Sequence, residues 1–315
     1  MLRSLFSAVS SLRNHQTALD VIANNLANVN TIGFKSGRAN FQDALSQTIS
    51  GPRAPADAGA GGAPQGLGGV NPSQIGLGMR LASIDTIQVQ GSFQNTGRTT
   101  DLAIQGNGMF VLSDLTPVPG GGGGAPSARI TYTRDGSFDV DASGRLVNPS
   151  NGMVVLGYAI PAGQQTANPA PGAPLAPIVI PPATYASFAI SPNGVVTGYT
   201  ANGTATPIAQ IAIANFPNPS GLQKVGSNMF EWTPAAGLLA GAPAAPTAQD
   251  VANNVSGLAS TGGRGEIMPG TLEMSNVDIA GQMSAMIVTQ CGFQVNSRAI
   301  TTSDEMLQEL LNLKR

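Results

Sequence analysis

The only histidine in the chain, His15, is the first residue that could do chemistry, because imidazole changes charge near neutral pH. It sits between Asn14 and Gln16, and no second histidine exists to share a metal or pass on a proton. Alone in a helical segment, it reads as a packing or interface residue and not as a general base. Asp139-Val140-Asp141-Ala142-Ser143-Gly144 opens like a calcium loop, with oxygen donors at alternate positions and glycine at the sixth. The twelfth position, which needs a bidentate glutamate, is Ser150, and β-formers flank the run, so it reads as a turn between strands. Gly121 to Gly124 has no Gly-Lys-Ser/Thr after it, and Ser10, Ser11 and Ser220 have no Gly-x-Ser-x-Gly setting. Cys291 is the single cysteine, which excludes an internal disulfide and a cysteine metal cluster; on a helix it reads as a small buried apolar residue. No catalytic, cofactor-binding or metal-binding residue is expected, and no enzymatic activity.

Composition narrows the classes further. In 315 residues the hydrophobic share is 42%, enough for two domains, but aromatics are 5% and charged residues 10%, so the core must be aliphatic and small. Gly 40 and Pro 23 fill a fifth of the chain, a loop-rich and turn-rich composition. The formal charge of −2 offers no basic field for nucleic acid. No apolar run approaches the roughly 18 residues of a membrane-spanning helix, so membrane insertion is not expected. Arg3 followed by Leu5 to Val9 resembles the start of a signal peptide, but Ser10, Ser11, Arg13 and Asn14 break the run, and no cleaved signal is expected.

The elements that must organise the chain lie at its two ends. Leu5, Leu12, Leu19 and Leu26 recur every seven residues, with Leu2, Val9 and Ala23 offset by three and Gln16 as the polar interruption. A second column runs through Ile279, Met286, Phe293, Ile300 and Leu307. The first helix should span about Ser4 to Asn28 and stop in Asn28-Val29-Asn30-Thr31-Ile32-Gly33. The last should start at Ser275, with Asp278 completing a capping box. Phe41, Leu45 and Ile49 keep a four-residue amphipathic spacing, whereas Gly51 to Gly78 reads as a linker or a segment held by neighbours.

Between the ends the pattern is that of strands. Arg80 to Val111 alternates, Ile130 to Arg134 and Ser137 to Val140 flank Asp135-Gly136 as a predicted two-residue hairpin, and four further turns are expected at Ser143-Gly144, Asn151-Gly152, Asn193-Gly194 and Asn202-Gly203. Pro117 to Pro126 reads as a flexible tip, and Pro161 to Pro182 and Pro234 to Gly265 as biased connecting stretches. The expected fold class is α+β: an antiparallel, coiled-coil-like pair of terminal helices and a discontinuous antiparallel β domain. The expected divisions are 1–35 with 272–315 (helical), 36–79 (connecting), 80–158 with 185–233 (β domain), 159–184 (insertion or loop) and 234–271 (linker).

The segment Ala23 to Lys35, carrying Asn24, Asn25, Asn28, Asn30, Thr31, Gly33, Phe34 and Lys35, resembles the N-terminal signature of the bacterial flagellar rod and hook proteins. Gly270 to Asp278, Asn296 to Leu307, Asp101 to Phe110, Tyr132 to Val147 and Ile211 to Leu222 resemble other blocks of the same family. The two extremities, Met1 to Phe6 and Met306 to Arg315, are most similar to its hook members, with the distal rod members as the alternative. Cys291 and Gly292 depart from the family pattern, and the interval from Tyr158 to Ser187 is short for the outer domain of typical hook proteins, which implies that this domain is reduced or absent. The resemblance implies export through the flagellar type III apparatus and helical self-assembly into a hollow tube outside the cell body. It also implies other axial proteins (rod, hook cap, hook-filament junction) as partners and no cofactor. The terminal columns are then the expected self-assembly seam.

Overall fold

In a computed structural model of the chain, the structure describes residues 2–53, 69–114, 129–160, 164, 166, 175–238 and 248–313. The described helices are α1 (Leu2–Ala27), the short α2 (Ala248–Val255) and α3 (Ile279–Asn312). N- and C-terminal helices with a mostly antiparallel β domain make the fold α+β. The chain divides into two compact units: Met1–Ala27, Gly37–Thr86 and Asp278–Arg315 form the first, and Asn28–Ser36 and Ile87–Val277 form the second.

In the first unit α1 packs against α3, and a two-stranded antiparallel ribbon accompanies them. Strand Gly37–Asp43 pairs with Met79–Thr86, Ser46–Ser50 pairs with Ser73–Gly76, and a bridge joins Arg53 to Val70. Backbone bonds from Ala44 to Gly78 (2.7 Å) and from Leu77 to Leu45 (3.1 Å) carry the ribbon across the gap between its two halves. Phe41, Leu45 and Ile49 therefore lie on strands or between them and not on a helix. A spacing of four is a multiple of the strand period as well as close to one helical turn, so their spacing alone could not separate the two. Residues 69–78 of the expected linker belong to the ribbon; the remainder, 54–68, lies outside the described residues.

The second unit is built on a sheet whose main path runs Ser187–Ile190, Val195–Tyr199, Ala205–Ala214, Val154–Ala159, Met109–Ser113, Ile130–Thr133, Met229–Glu231 and Gln223–Gly226, each neighbour antiparallel. Alternate residues feed two cores. Val111, Ala212, Tyr132 and Phe230 join one with Ala252 and Val255 of α2, and Phe110, Leu112, Ile211 and Ile213 join the other with Leu102, Phe138 and Ile267. Burial on both faces explains why Met109–Ser113 is apolar along its length and buried throughout. The expected linker 234–271 holds α2 and strands Ser256–Leu258 and Glu266–Pro269, and Ala176–Pro177 with buried Ile178 and Ile180 borders strand Val154–Ala159.

Three local expectations are corrected. Asp135-Gly136 does not form a hairpin: Ile130–Thr133 pairs with Met109–Ser113 and Met229–Glu231, while Asp139–Val140 pairs with Leu146–Val147. Neither residue takes the positive φ that the tight turn needs. Gly136 is instead pressed against Leu102, whose N–H donates to its carbonyl at 3.0 Å, and a Cβ there would fall 1.6 Å from the Leu102 oxygen. Secondly, α3 starts one turn later than expected. Asp278 is the cap, its carboxylate accepting from Ala280 N and Gly281 N at 3.1 Å each, while Ser275 accepts from Val277 N. Thirdly, Cys291 is exposed and not buried. The turns at Gly144, Gly152, Gly194 and Gly203 do form, each with φ between 71° and 79°. The Pro117 to Pro126 tip and the Gly121 to Gly124 run lie outside the described residues.

Candidate functional site

The helix pair of the first unit is antiparallel, and side-chain contacts fix its register. Asn25 Nδ2 donates to Gln282 Oε1 (3.0 Å), His15 lies against Gly292, and Asn296 Nδ2 donates to Ser11 Oγ (2.8 Å). On α3 the face involved is a polar column at seven-residue spacing: Gln282, Thr289 and Asn296 are half-buried and Ser303 is buried. On α1 it is Ala8, Ser11, His15, Ala18, Ile22 and Asn25. Gly292 makes the room for the imidazole, since a Cβ there would stand 3.0 Å from the His15 ring.

The predicted seam lies beside this face. Leu5, Leu12, Leu19, Leu26, Met286, Ile300 and Leu307 are half-buried, whereas Val9, Ile279 and Phe293 are exposed, as are Gln16 and Ala23; Leu2 opens α1. Farther round α3 is a set of apolar residues that the chain leaves uncovered, including Met283, Ile287, Val288 (71% exposed), Val295 (61%) and Leu310. A contiguous apolar face of this kind on a helix marks a surface for association.

The signature residues divide between the two units. Asn25, buried in the first, embraces Gly37, accepting from its N–H at 2.9 Å and donating to its carbonyl at 2.7 Å; Asn24 is exposed on α1. In the second unit Asn28 accepts from Thr31, Asn30 is exposed, and Gly33 turns the chain with φ +67°. A side chain at Gly33 would strike the backbone of Asp135, 2.6 Å from its nitrogen. Phe34 is buried, with the Lys224 ammonium 4.9 Å above its ring.

Lys35 is the centre of the arrangement. Its fully buried ammonium donates to Glu273 Oε1 at 2.7 Å and to the Val89 carbonyl at 2.8 Å. Glu273, also fully buried, accepts from Gly91 N (2.9 Å) on the same oxygen and from Arg134 Nη1 (3.0 Å) on the other. Arg134 also donates to the carbonyls of Ile104 and Gly106. Burial holds the pKa of both cations below their ordinary values, and the attraction of Glu273 works the other way. Asn276 adds a second tie between the same segments, accepting from Ser36 N (2.8 Å) and donating to Ile87 and Val89. Thus the segment after α1 and the one before α3 are laced together inside the second unit. Sequence reasoning named Lys35 but missed Glu273, Arg134 and Asn276; a charged residue within or directly after an apolar strand, in a chain with 10% charged residues, was the available signal.

These features are a packing face and a set of structural ties, with no nucleophile beside a base. Among the described residues no group of three acidic, histidine or cysteine side chains could hold a metal.

Comparison with known proteins agrees with this geometry. Residues 5–35 match the "Flagella basal body rod protein" family model, residues 103–198 the "Flagellar hook protein FlgE/F/G D1 domain" and residues 268–313 the "Flagellar basal body rod FlgEFG protein C-terminal". The chain is 42% identical over 320 residues to the flagellar basal-body rod protein FlgG of Bacillus subtilis, and 35% over 320 residues to that of Borreliella burgdorferi. It is 32% identical over 476 residues to the flagellar hook protein FlgE of Borreliella burgdorferi, and in all three cases the match covers 100% of both chains. The chain belongs to the flagellar rod and hook protein family, and is a non-enzymatic structural subunit of the bacterial flagellar axis, polymerising with other flagellar components.

Proposed function

We propose that copies of this chain stack helically into a hollow tube through the uncovered apolar faces of α1 and α3, the terminal helices forming coiled-coil contacts between copies. The observation that carries this reading is the exposed row Met283, Ile287, Val288 and Val295 on a helix whose polar column is already engaged with α1. Burying a Val, Leu or Ile side chain contributes about 1.5–3 kcal/mol, so a few such residues per copy suffice to hold a polymer. The seam residues Leu2, Leu5, Val9, Leu12, Leu19, Leu26, Ile279, Met286, Phe293, Ile300 and Leu307 act in this proposal at the boundary between the intrachain pair and the neighbouring copies. Export as an unfolded chain through the flagellar type III apparatus, with rod, hook cap and junction proteins as neighbours, completes the reading.

Of the two finer placements, the distal rod has the better support. The 42% identity to a rod protein runs over 320 residues, whereas the hook match needs 476, so the hook relative carries a large segment that this chain lacks. That difference also supports a reduced or missing outer domain in the region 159–184. The hook remains the second reading, because the hook relative is matched from end to end. Val288→Asp tests assembly: a charge at an exposed position leaves the monomer's thermal transition unchanged and abolishes polymerisation seen by electron microscopy. Normal polymers from this variant would refute the proposed contact. Immunogold labelling of purified hook-basal bodies decides the placement, with label on the straight segment supporting the rod and label on the curved segment the hook.

A further inference from the structure

A cavity of about 200 Å³ opens in the second unit beside the buried charges. Gln88, Asn107, Met109, Arg134, Asn215 and Phe216 are among the residues that line it. Its polar corner is rich in donors. Gln88 Nε2 is buried and has no hydrogen-bond partner among the described residues. Arg134 spends both Nη1 hydrogens on Ile104 and Glu273 and one Nη2 hydrogen on Gly106, which leaves Nε–H and the other Nη2 hydrogen without a partner among the described residues. A buried donor left unmade is costly, so this corner is incomplete as it stands.

Charge points the same way. Lys35, Arg134 and Glu273 make two cations and one carboxylate in a fully or almost fully buried cluster. No acidic side chain lines the cavity. A carboxylate placed there would meet Arg134 and Gln88 as donors and bring the cluster to neutrality, whereas a cation would meet an uncompensated guanidinium. The apolar remainder of the wall, Met109 and Phe216, suits a short carbon stem.

We propose that this cavity is a binding site for a single carboxylate on a short aliphatic stem, held by Arg134 and Gln88. The carboxylate comes either from a small free acid or from an aspartate or glutamate side chain of a second copy; the second source rests on the proposed assembly and the first does not.

The test follows the Arg134 Nε–H and Gln88 side-chain amide resonances of the full-length monomer while sodium acetate is added, against sodium chloride at equal ionic strength. A saturable shift of both with acetate alone supports the site. Gln88→Leu should weaken acetate binding by about tenfold, the worth of a hydrogen bond to a charged group, without moving the unfolding transition of Trp232 fluorescence. Gln88→Glu, which supplies a carboxylate from within, should abolish the response. A second copy as the source is read in solid-state spectra of the polymer, where the two resonances move without acetate and return when the polymer is dissociated. If neither acetate nor assembly moves them, or if Gln88→Leu and Gln88→Glu both bind acetate as the parent does, the proposal is overturned.

Discussion

Glu273→Gln should destabilise the second unit well beyond Lys35→Met, although the two residues are partners in one ion pair. Glu273 is the only anion of its cluster and receives three donors, from Lys35 Nζ, Gly91 N and Arg134 Nη1, at 2.7, 2.9 and 3.0 Å. Glutamine keeps one acceptor and turns an amide N–H₂ towards one of the cations, so two buried positive charges lose their counter-ion; such a loss costs about 3–5 kcal/mol. Lys35→Met removes one of the two cations and leaves Arg134 and Glu273 balanced. What it forfeits is the bond to Val89 O and one donor to Glu273, about 1–3 kcal/mol. Urea unfolding of the full chain, followed by the fluorescence of Trp232, the only tryptophan and part of the second unit, reads the difference. Equal losses, or a larger loss for Lys35→Met, would refute the charge argument. The pH dependence is a second reading of the same quantity. Burial lowers the pKa of Lys35 in the folded chain, so between that value and the ordinary lysine value the unfolded chain binds the extra proton, and stability rises as pH rises through the window. Glu273→Gln removes the neighbour that draws this pKa back up, which widens the window; the deficit of the variant should therefore shrink from neutral to alkaline pH.

Three further outcomes are expected. Gly33→Ala should cost about 1–3 kcal/mol for its left-handed backbone alone, and more through the approach to Asp135, as a lowered urea midpoint of Trp232. Asp278→Ala removes the cap of α3 and should cost about 0.5–2 kcal/mol, measured as lost helicity in circular dichroism, while Asp278→Asn retains most of it. Gly292→Ala should weaken the helix pair because its methyl group meets the His15 ring, and His15→Ala should rescue it, a coupling that a double-mutant cycle detects.

The parts of the fold legible in the sequence were those written in local chemistry. Asparagine-glycine or serine-glycine pairs marked four turns because only residues tolerant of positive φ close them, and the glycine at each of these positions adopts it. Asp135-Gly136 carried the same signature and did something else. Its glycine answers to the close passage of Leu102, thirty-four residues earlier, and no local pattern encodes that distance. The helix start failed for a related reason: Ser275 and Asp278 both fit a cap, and strand Thr271–Glu273, bonded to Phe93–Asn95, keeps the backbone extended close to Ser275. Lys35 was visible as part of a motif, but its partners Glu273 and Arg134 are separated from it by most of the chain, and pairing of that range is fixed only once the sheet forms.

The two heptad columns pose the subtler case. A seven-residue period was correctly read as helix, yet the period fixes only that a stripe exists and not which stripe meets which partner. On α3 the polar column Gln282, Thr289, Asn296 and Ser303 has the same period as the apolar one, and its members reach Asn25 and Ser11 of α1 by hydrogen bonds. Hydrogen bonds between named side chains tolerate no slippage, whereas apolar contacts can be remade one turn away at little cost, so a polar column specifies register while adding little net stability. Placing it inside the chain's own pair frees the apolar residues to face outward. A helix pair built this way would be well aligned but weak by itself, which is the property required of a subunit whose terminal helices reach their full stability only among copies.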